Sequence, residues 1–145
     1  MSKIKIYVAG KLSTESYRGK LEKIGKICQD FGFDTFLPHK DVGLLKDFRD
    51  VDRIFQGDII KGFKGCGLVI ALLDGLHVGA GTAWELGYAY AKGIPTIGIK
   101  TDEPVEGALE YLSAILVGSM EIVSSFEELK EKLIEFKNKN GKNKN

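Results

Sequence analysis

Histidine and cysteine are scarce. Two of each, His39, His77, Cys28 and Cys66, stand in 145 residues. The cysteines are far apart and lack metal-ligand spacing, so they read as buried free thiols in a reducing cytoplasm. No metal and no cofactor is expected. Charge of one sign is also missing. The formal net charge is +1, which gives no electrostatic case for nucleic acid or a membrane surface. No apolar run reaches the length of a membrane span. Met1-Ser2-Lys3 enters a short strand-like run and not the long apolar core of a signal peptide. Three motifs are absent too. Without Gly-x-x-x-x-Gly-Lys-Ser/Thr there is no case for a nucleoside triphosphatase. Without Gly-x-Gly-x-x-Gly after the first strand there is none for a dinucleotide enzyme. No Ser or Cys nucleophile pattern occurs.

What is present is an ordinary soluble composition, 43% hydrophobic and 28% charged, of a size for one domain. Residues 1–137 read as that domain, and 138–145 (NKNGKNKN) as a polar disordered tail. Lys3 to Ala9 alternates as a first strand. A helix follows from about Thr14 to Phe31, with Ser13 as its N-cap and Gly32 at its C-terminal cap. Phe33 to Leu37 is a second strand, stopped by Pro38. His39 to Asp52 is a charged loop with a short helical turn. Arg53 to Lys64 reads as a helix whose regularity is weakened by Gly57 and Gly62. Gly67 to Leu73 is continuously apolar, as a parallel strand covered on both faces should be. Thr82 to Lys92 is a helix, Pro95 to Ile99 a strand, Val105 to Leu116 a helix and Met120 to Val123 a fifth strand. A last helix runs from Phe126 to about Lys137, with a Ser124-to-Glu127 capping box. Alternating strands and helices predict an α/β fold: a single doubly wound, flavodoxin-like domain with a five-stranded parallel sheet and helices on both faces.

In such a sheet the functional loops follow the carboxyl ends of the strands. Here those loops hold Gly10, Ser13, His39, Asp74, Gly79 and Gly81, and the chemistry they offer is carboxylate chemistry. Glu85 lies just after the glycine-rich loop, in the expected first turn of its helix. Two readings of it stand. In one, Thr82-Ala83-Trp84-Glu85 is a capping box. In the other, the helix N-terminus keeps Glu85 ionised, by about 0.3–1 kcal/mol, so that it attacks an anomeric carbon as glycosidase nucleophiles do. His39 follows a strand, close to this rim, as a ligand contact or a loop-packing histidine.

Lys5-Ile6-Tyr7-Val8-Ala9-Gly10 and Leu72-Leu73-Asp74-Gly75, followed by Gly81-Thr82-Ala83-Trp84-Glu85-Leu86-Gly87-Tyr88-Ala89, resemble the nucleoside 2-deoxyribosyltransferase family. That family includes the related deoxynucleoside 5′-monophosphate N-glycosidases. The likeness implies cleavage or transfer at the N-glycosidic bond of a 2′-deoxynucleoside or its monophosphate, with Glu85 as the nucleophile. It implies that Asp58 is a second acid and that Tyr7 touches nucleophile or sugar. It also implies a homo-oligomer, and as partners only a small nucleoside or nucleotide and a nucleobase. The chain departs from the pattern at Gly79, where transferases usually carry an aspartate and the monophosphate glycosidases a serine. Asp74 and His77 are the candidate substitutes, and the backbone N–H groups around Gly10, Ser13, Gly79 and Gly81 are a candidate cradle for a 5′-phosphate or a free hydroxyl. Two other readings stay open: a nucleotide-binding module without turnover, and a ribonucleotide phosphoribohydrolase, echoed by Gly-x-Gly-Thr-x-x-Glu from Gly79 to Glu85.

Overall fold

The architecture comes from a computed structural model, which describes residues 3–142. Five strands form one parallel sheet in the order β2-β1-β3-β4-β5: β1 Lys5–Ala9, β2 Asp34–Phe36, β3 Cys66–Leu72, β4 Thr96–Ile99 and β5 Glu121–Val123. The chain winds outward one way from β1 to β2, then returns to place β3 on β1's other side. β1 and β3 therefore flank the switch point, where a crevice opens at the strands' carboxyl ends. Tyr7 pairs with Val69 and Ala9 with Ala71 across it.

Period-two alternation divides β1 between two cores. Ile6 and Val8 face the layer of α1 (Glu15–Asp30) and α7 (Phe126–Lys142), packing with Leu21, Ile24, Leu129 and Leu133. Tyr7 and Ala9 face the opposite layer, with Ile59, Phe63, Leu86 and Leu112. That second layer contains α4 (Ala80–Ala91) and the irregular stretch before β3. The alternation alone thus puts Tyr7 on the side from which Glu85 descends.

Several boundaries move for local reasons. The N-cap of α1 is Thr14, not Ser13: its backbone is extended and its Oγ1 accepts from the Tyr17 amide at 3.1 Å. The capping arrangement of α7 sits one residue later than expected. Ser125 Oγ accepts from the Glu128 amide at 3.1 Å, and the Glu128 carboxylate reaches back to the Ser124 amide at 3.0 Å. Helix α7 continues to Lys142; residues 143–145 of the expected tail lie outside the described residues. The helix expected over Val105 to Leu116 is three short pieces: a 3-10 turn Val105–Gly107, α5 Leu109–Leu112 and α6 Ala114–Ser119. The break falls at Ser113, whose φ is +71°. Pro38 opens the short helix α2, Pro38–Asp41, because its fixed φ suits a first helical position. The helix expected from Arg53 to Lys64 starts earlier and changes type. A 3-10 turn Phe48–Asp50 leads into α3, Val51–Phe55, and then into a π-helical segment, Gln56–Lys61.

Candidate active site

Helix α4 begins two residues earlier than its sequence suggests. Gly79 is the N-cap, and its carbonyl accepts the first helical bond from the Ala83 amide at 3.0 Å. Thr82 is therefore inside the first turn and buried, and Glu85 lies in the second turn. This overturns both the capping-box reading and the N-terminal charge argument, since the dipole effect fades within one turn. Glu85 takes its hydrogen bond from the Tyr7 hydroxyl, which donates to Oε2.

Tyr7 can reach that carboxylate because its ring is held flat between Phe63 and Phe36. The ring centroids lie 4.1 and 5.2 Å away with interplanar angles of 15° and 24°. Tyr7 itself is fully buried. Burial, and then the neighbouring Glu85 charge, hold its hydroxyl well above the usual phenol range, so it stays a neutral donor.

Asp58 completes the cluster. It sits in the π-helical segment with Oδ1 buried and without a hydrogen-bond partner. Burial pushes its carboxyl up to about 6, against a lowering pull from Arg53. Glu85 is pushed up to about 7, first by burial, with the Tyr7 hydroxyl opposing and the Asp58 charge adding to the rise. The Asp58 charge bears on Glu85, so the two titrate as a pair. Between about pH 6 and 7 the pair holds one proton between two oxygen acids, the state that nucleophile-plus-acid chemistry needs.

Both carboxyls open into one cavity of about 490 Å³. They are its only charged lining; the rest is apolar or small, including Leu45, Val51, Ile54, Phe55, Gly81 and Trp84. A smaller hollow of about 350 Å³ shares Leu45, Ile54 and Asp58 with it and adds Ser13 and Arg18. Larger hollows exist, about 660 Å³ between α4 and α6 and about 650 Å³ beside β4 and β5. The first has no charged lining. In the second the buried Lys100 is already paired with Asp102 at 2.8 Å. The 490 Å³ cavity brings two acids shifted upward by burial, Asp58 and Glu85, to one wall. Among the described residues no group of three or more His, Cys, Asp or Glu is arranged to hold a metal ion.

The remaining candidates divide. Gly81 lines the main cavity and Ser13 the adjoining hollow. Gly10 is a packing glycine: a β-carbon there would stand 2.7 Å from Leu21 Cδ2 and 3.2 Å from Leu72 Cβ. His39 is turned away, its side chain buried, its Nε2 3.3 Å from Glu22 Oε1 and its Nδ1 unpartnered. Asp74 is buried, and its carboxylate is occupied by Lys20 Nζ, the Thr101 amide and the Thr101 hydroxyl, each at 2.6 Å. It lines neither hollow. Gly79 adopts φ +94° and lies beneath Lys11. Sequence reading missed the apolar wall Leu45, Val51, Ile54 and Phe55, and missed Arg18. The available signal was a set of large hydrophobics, Leu45, Phe48, Val51 and Phe55, in an otherwise charged stretch.

The sequence model of the nucleoside 2-deoxyribosyltransferase family matches residues 6–135. The chain belongs to that family. It is therefore an enzyme of the nucleoside 2-deoxyribosyltransferase type, from a family that acts on small nucleosides or nucleotides. Among solved structures, a conserved protein from Enterococcus faecalis V583 is similar at 28% identity over 92% of this chain and 99% of that one, with a TM-score of 0.71. A 2-deoxyribosyltransferase from Bacillus psychrosaccharolyticus shares the fold at 21% identity, covering 87% and 90%, with a TM-score of 0.71. The CMP N-glycosidase BcmB of Clostridium botulinum does so at 20% identity, covering 89% and 97%, with a TM-score of 0.58. No functionally curated protein matches the chain significantly by sequence.

Proposed function

We propose that this enzyme cleaves or transfers at the N-glycosidic bond of a 2′-deoxynucleoside or its 5′-monophosphate, through a covalent glycosyl ester on Glu85. One observation carries the reading. Glu85, held at Oε2 by Tyr7, shares a cavity with an unpartnered Asp58. With Oε2 accepting from Tyr7, Oε1 is the oxygen left to attack C1′. As that bond forms, the C1′–N bond breaks, its electron pair goes to the base, and the one proton the pair holds passes to the base through Asp58, leaving Glu85 as the ionised nucleophile. Water or a second base then attacks C1′. Glu85 leaves as carboxylate and ionised Asp58 takes the proton from the incoming nucleophile. Trp84, half exposed, and Phe55 offer aromatic surface for the base.

A second copy of the chain completes the site. The mouth of the cavity is rimmed by Leu45, Val51, Phe55 and Trp84, exposed and apolar, with the neighbouring Phe48 89% exposed, more than a monomer normally leaves in one place. Light scattering tests this by mass. The cytoplasm is the assigned compartment, where Cys28 and Cys66 remain free thiols; among the described residues no helix is long and apolar enough to cross a membrane.

The test of the chemistry is a panel of deoxynucleosides, ribonucleosides and their monophosphates, with and without free adenine, read by chromatography. Intact-mass analysis of acid-quenched enzyme seeks the sugar adduct. Base release with an adduct on Glu85 is expected. Turnover that survives Glu85→Ala at the wild-type rate would overturn the mechanism.

A further inference from the structure

The segment that carries Asp58 is not an α-helix, and the reason lies at Gly62. The Gly62 amide donates to the Gly57 carbonyl, five residues back, at 2.9 Å. This wide turn closes the π-helical segment Gln56–Lys61, a distortion that re-aims side chains and recurs at functional sites. The φ at Gly62 is −61°, ordinary helical backbone, so backbone freedom does not call for glycine. Space does. A β-carbon at 62 would collide with the Asp58 carbonyl oxygen, and would stand 2.7 Å from Phe36 Cε1 and 2.9 Å from Tyr7 Cε2. The Tyr7 ring therefore lies directly on bare backbone of the turn that presents Asp58. Lys5 locks the same segment to β1, donating from Nζ to the carbonyls of Lys61 and Lys64 at 3.1 Å each.

We propose that Gly62 is a positioning residue, which fixes the separation of Asp58 from the Tyr7–Glu85 pair by letting the Tyr7 ring seat against the Asp58 turn. The proposal rests on the Glu85 reading above for its meaning in catalysis, but not for its geometry. A methyl group at 62 must push either the turn or the ring. Either movement changes how strongly the two carboxyls feel each other.

Gly62→Ala is compared with Gly98→Ala. The latter crowds β4, with its added carbon 2.7 Å from Leu73 Cδ1 and 2.9 Å from Met120 Sδ, and lines no part of the Glu85 cavity. Carboxyl ¹³C NMR titration follows Asp58 and Glu85 whether or not the protein turns over. In Gly62→Ala at least one of their midpoints should move by about half a pH unit or more, while Gly98→Ala leaves both in place whatever its loss of Tm. In turnover, kcat for Gly62→Ala should fall by about 30-fold with KM within about threefold, because orientation and not substrate affinity is lost. Unmoved midpoints in Gly62→Ala, or equal movement in Gly98→Ala, overturn the positioning role. If Gly62→Ala does not fold, Phe36→Leu removes the other ring over the same backbone and is read by the same titration, with the same outcomes. A wild-type protein that releases no base overturns the Glu85 reading alone, since the titration still decides the role of Gly62.

Discussion

The side chain of Lys11 lies across Gly79, its Cγ 2.9 Å from where a β-carbon on that glycine would stand. Its ammonium rests 4.5 Å from the centroid of the Tyr17 ring. The position where the family resemblance leads one to expect aspartate or serine is thus roofed over as well as truncated. Gly79→Asp should destabilise the protein by about 1–3 kcal/mol, because a β-carbon is placed at φ +94° and against the lysine stem. Adding Lys11→Ala should recover the steric part and leave the backbone part. Calorimetric Tm of the two variants checks this. A Gly79→Asp protein as stable as wild type would show that the stem moves aside freely.

Glu85→Gln should fold normally and lose about a thousandfold or more of kcat, since an amide is no nucleophile. The measurement is single-turnover base release. No sugar adduct should appear in the mass spectrum.

Stability should fall as pH rises. Glu85 is pushed from its ordinary 4.5 up to about 7 in the folded protein, so its contribution is fully present below the ordinary carboxylate range and is lost as pH climbs through 7. Asp58, raised to about 6, acts in the same direction. Urea unfolding at pH 5, 6.5 and 8 should show this slope, and Glu85→Gln should flatten it by up to about 3 kcal/mol. A slope unchanged in the variant would place the titration elsewhere.

Tyr7→Phe removes the one hydrogen bond that holds the Glu85 carboxyl down. The ascending limb of kcat/KM against pH, set by ionisation of the nucleophile, should move upward by about one unit, given the strength of a hydrogen bond to a charged acceptor. A limb that stays in place would mean the hydroxyl does not bond the ionised form.

Asp74→Asn separates structure from ligand binding at a buried residue. Its carboxylate links α1, through Lys20, to the Thr101 turn after β4. Breaking such a pair should cost about 3 kcal/mol, seen as a lower Tm, with KM of the folded fraction within about twofold. A raised KM at unchanged Tm would make Asp74 a substrate ligand instead.

The parallel sheet with helices on both faces was legible because strands and helices alternate along the chain and β3 is apolar throughout; the strand order was not, since periodicity fixes which face a residue takes and not which strands are neighbours. The Glu85 stretch was legible because its strand, glycine loop and helix fall in sequence. The start of α4 was not: Thr82 looks like a cap, but Gly79, at positive φ, already supplies the first helical carbonyl. The π-helical turn was not legible either, since it goes with the Tyr7 and Phe36 rings lying against Gly62, contacts between separate strands and the turn that sequence spacing does not reveal. For the same reason Leu45 and Val51 looked like part of a charged loop, and Ile54 and Phe55 like the apolar side of an ordinary helix.

Asp74 and its neighbours have a consequence for traffic. Its carboxylate ties the end of β3 to Lys20 and Thr101, and the Gly75 amide donates to Asp102 at 2.8 Å. Three connections are thereby bolted together clear of the Glu85 cavity and the hollow that adjoins it. The doorway of the Glu85 cavity is the exposed rim of Leu45, Phe55 and Trp84. On the proposed chemistry the departing base lies nearest that doorway, with the sugar esterified behind it. On that arrangement the first base departs before the second takes its place, while the sugar stays bonded to Glu85 between them.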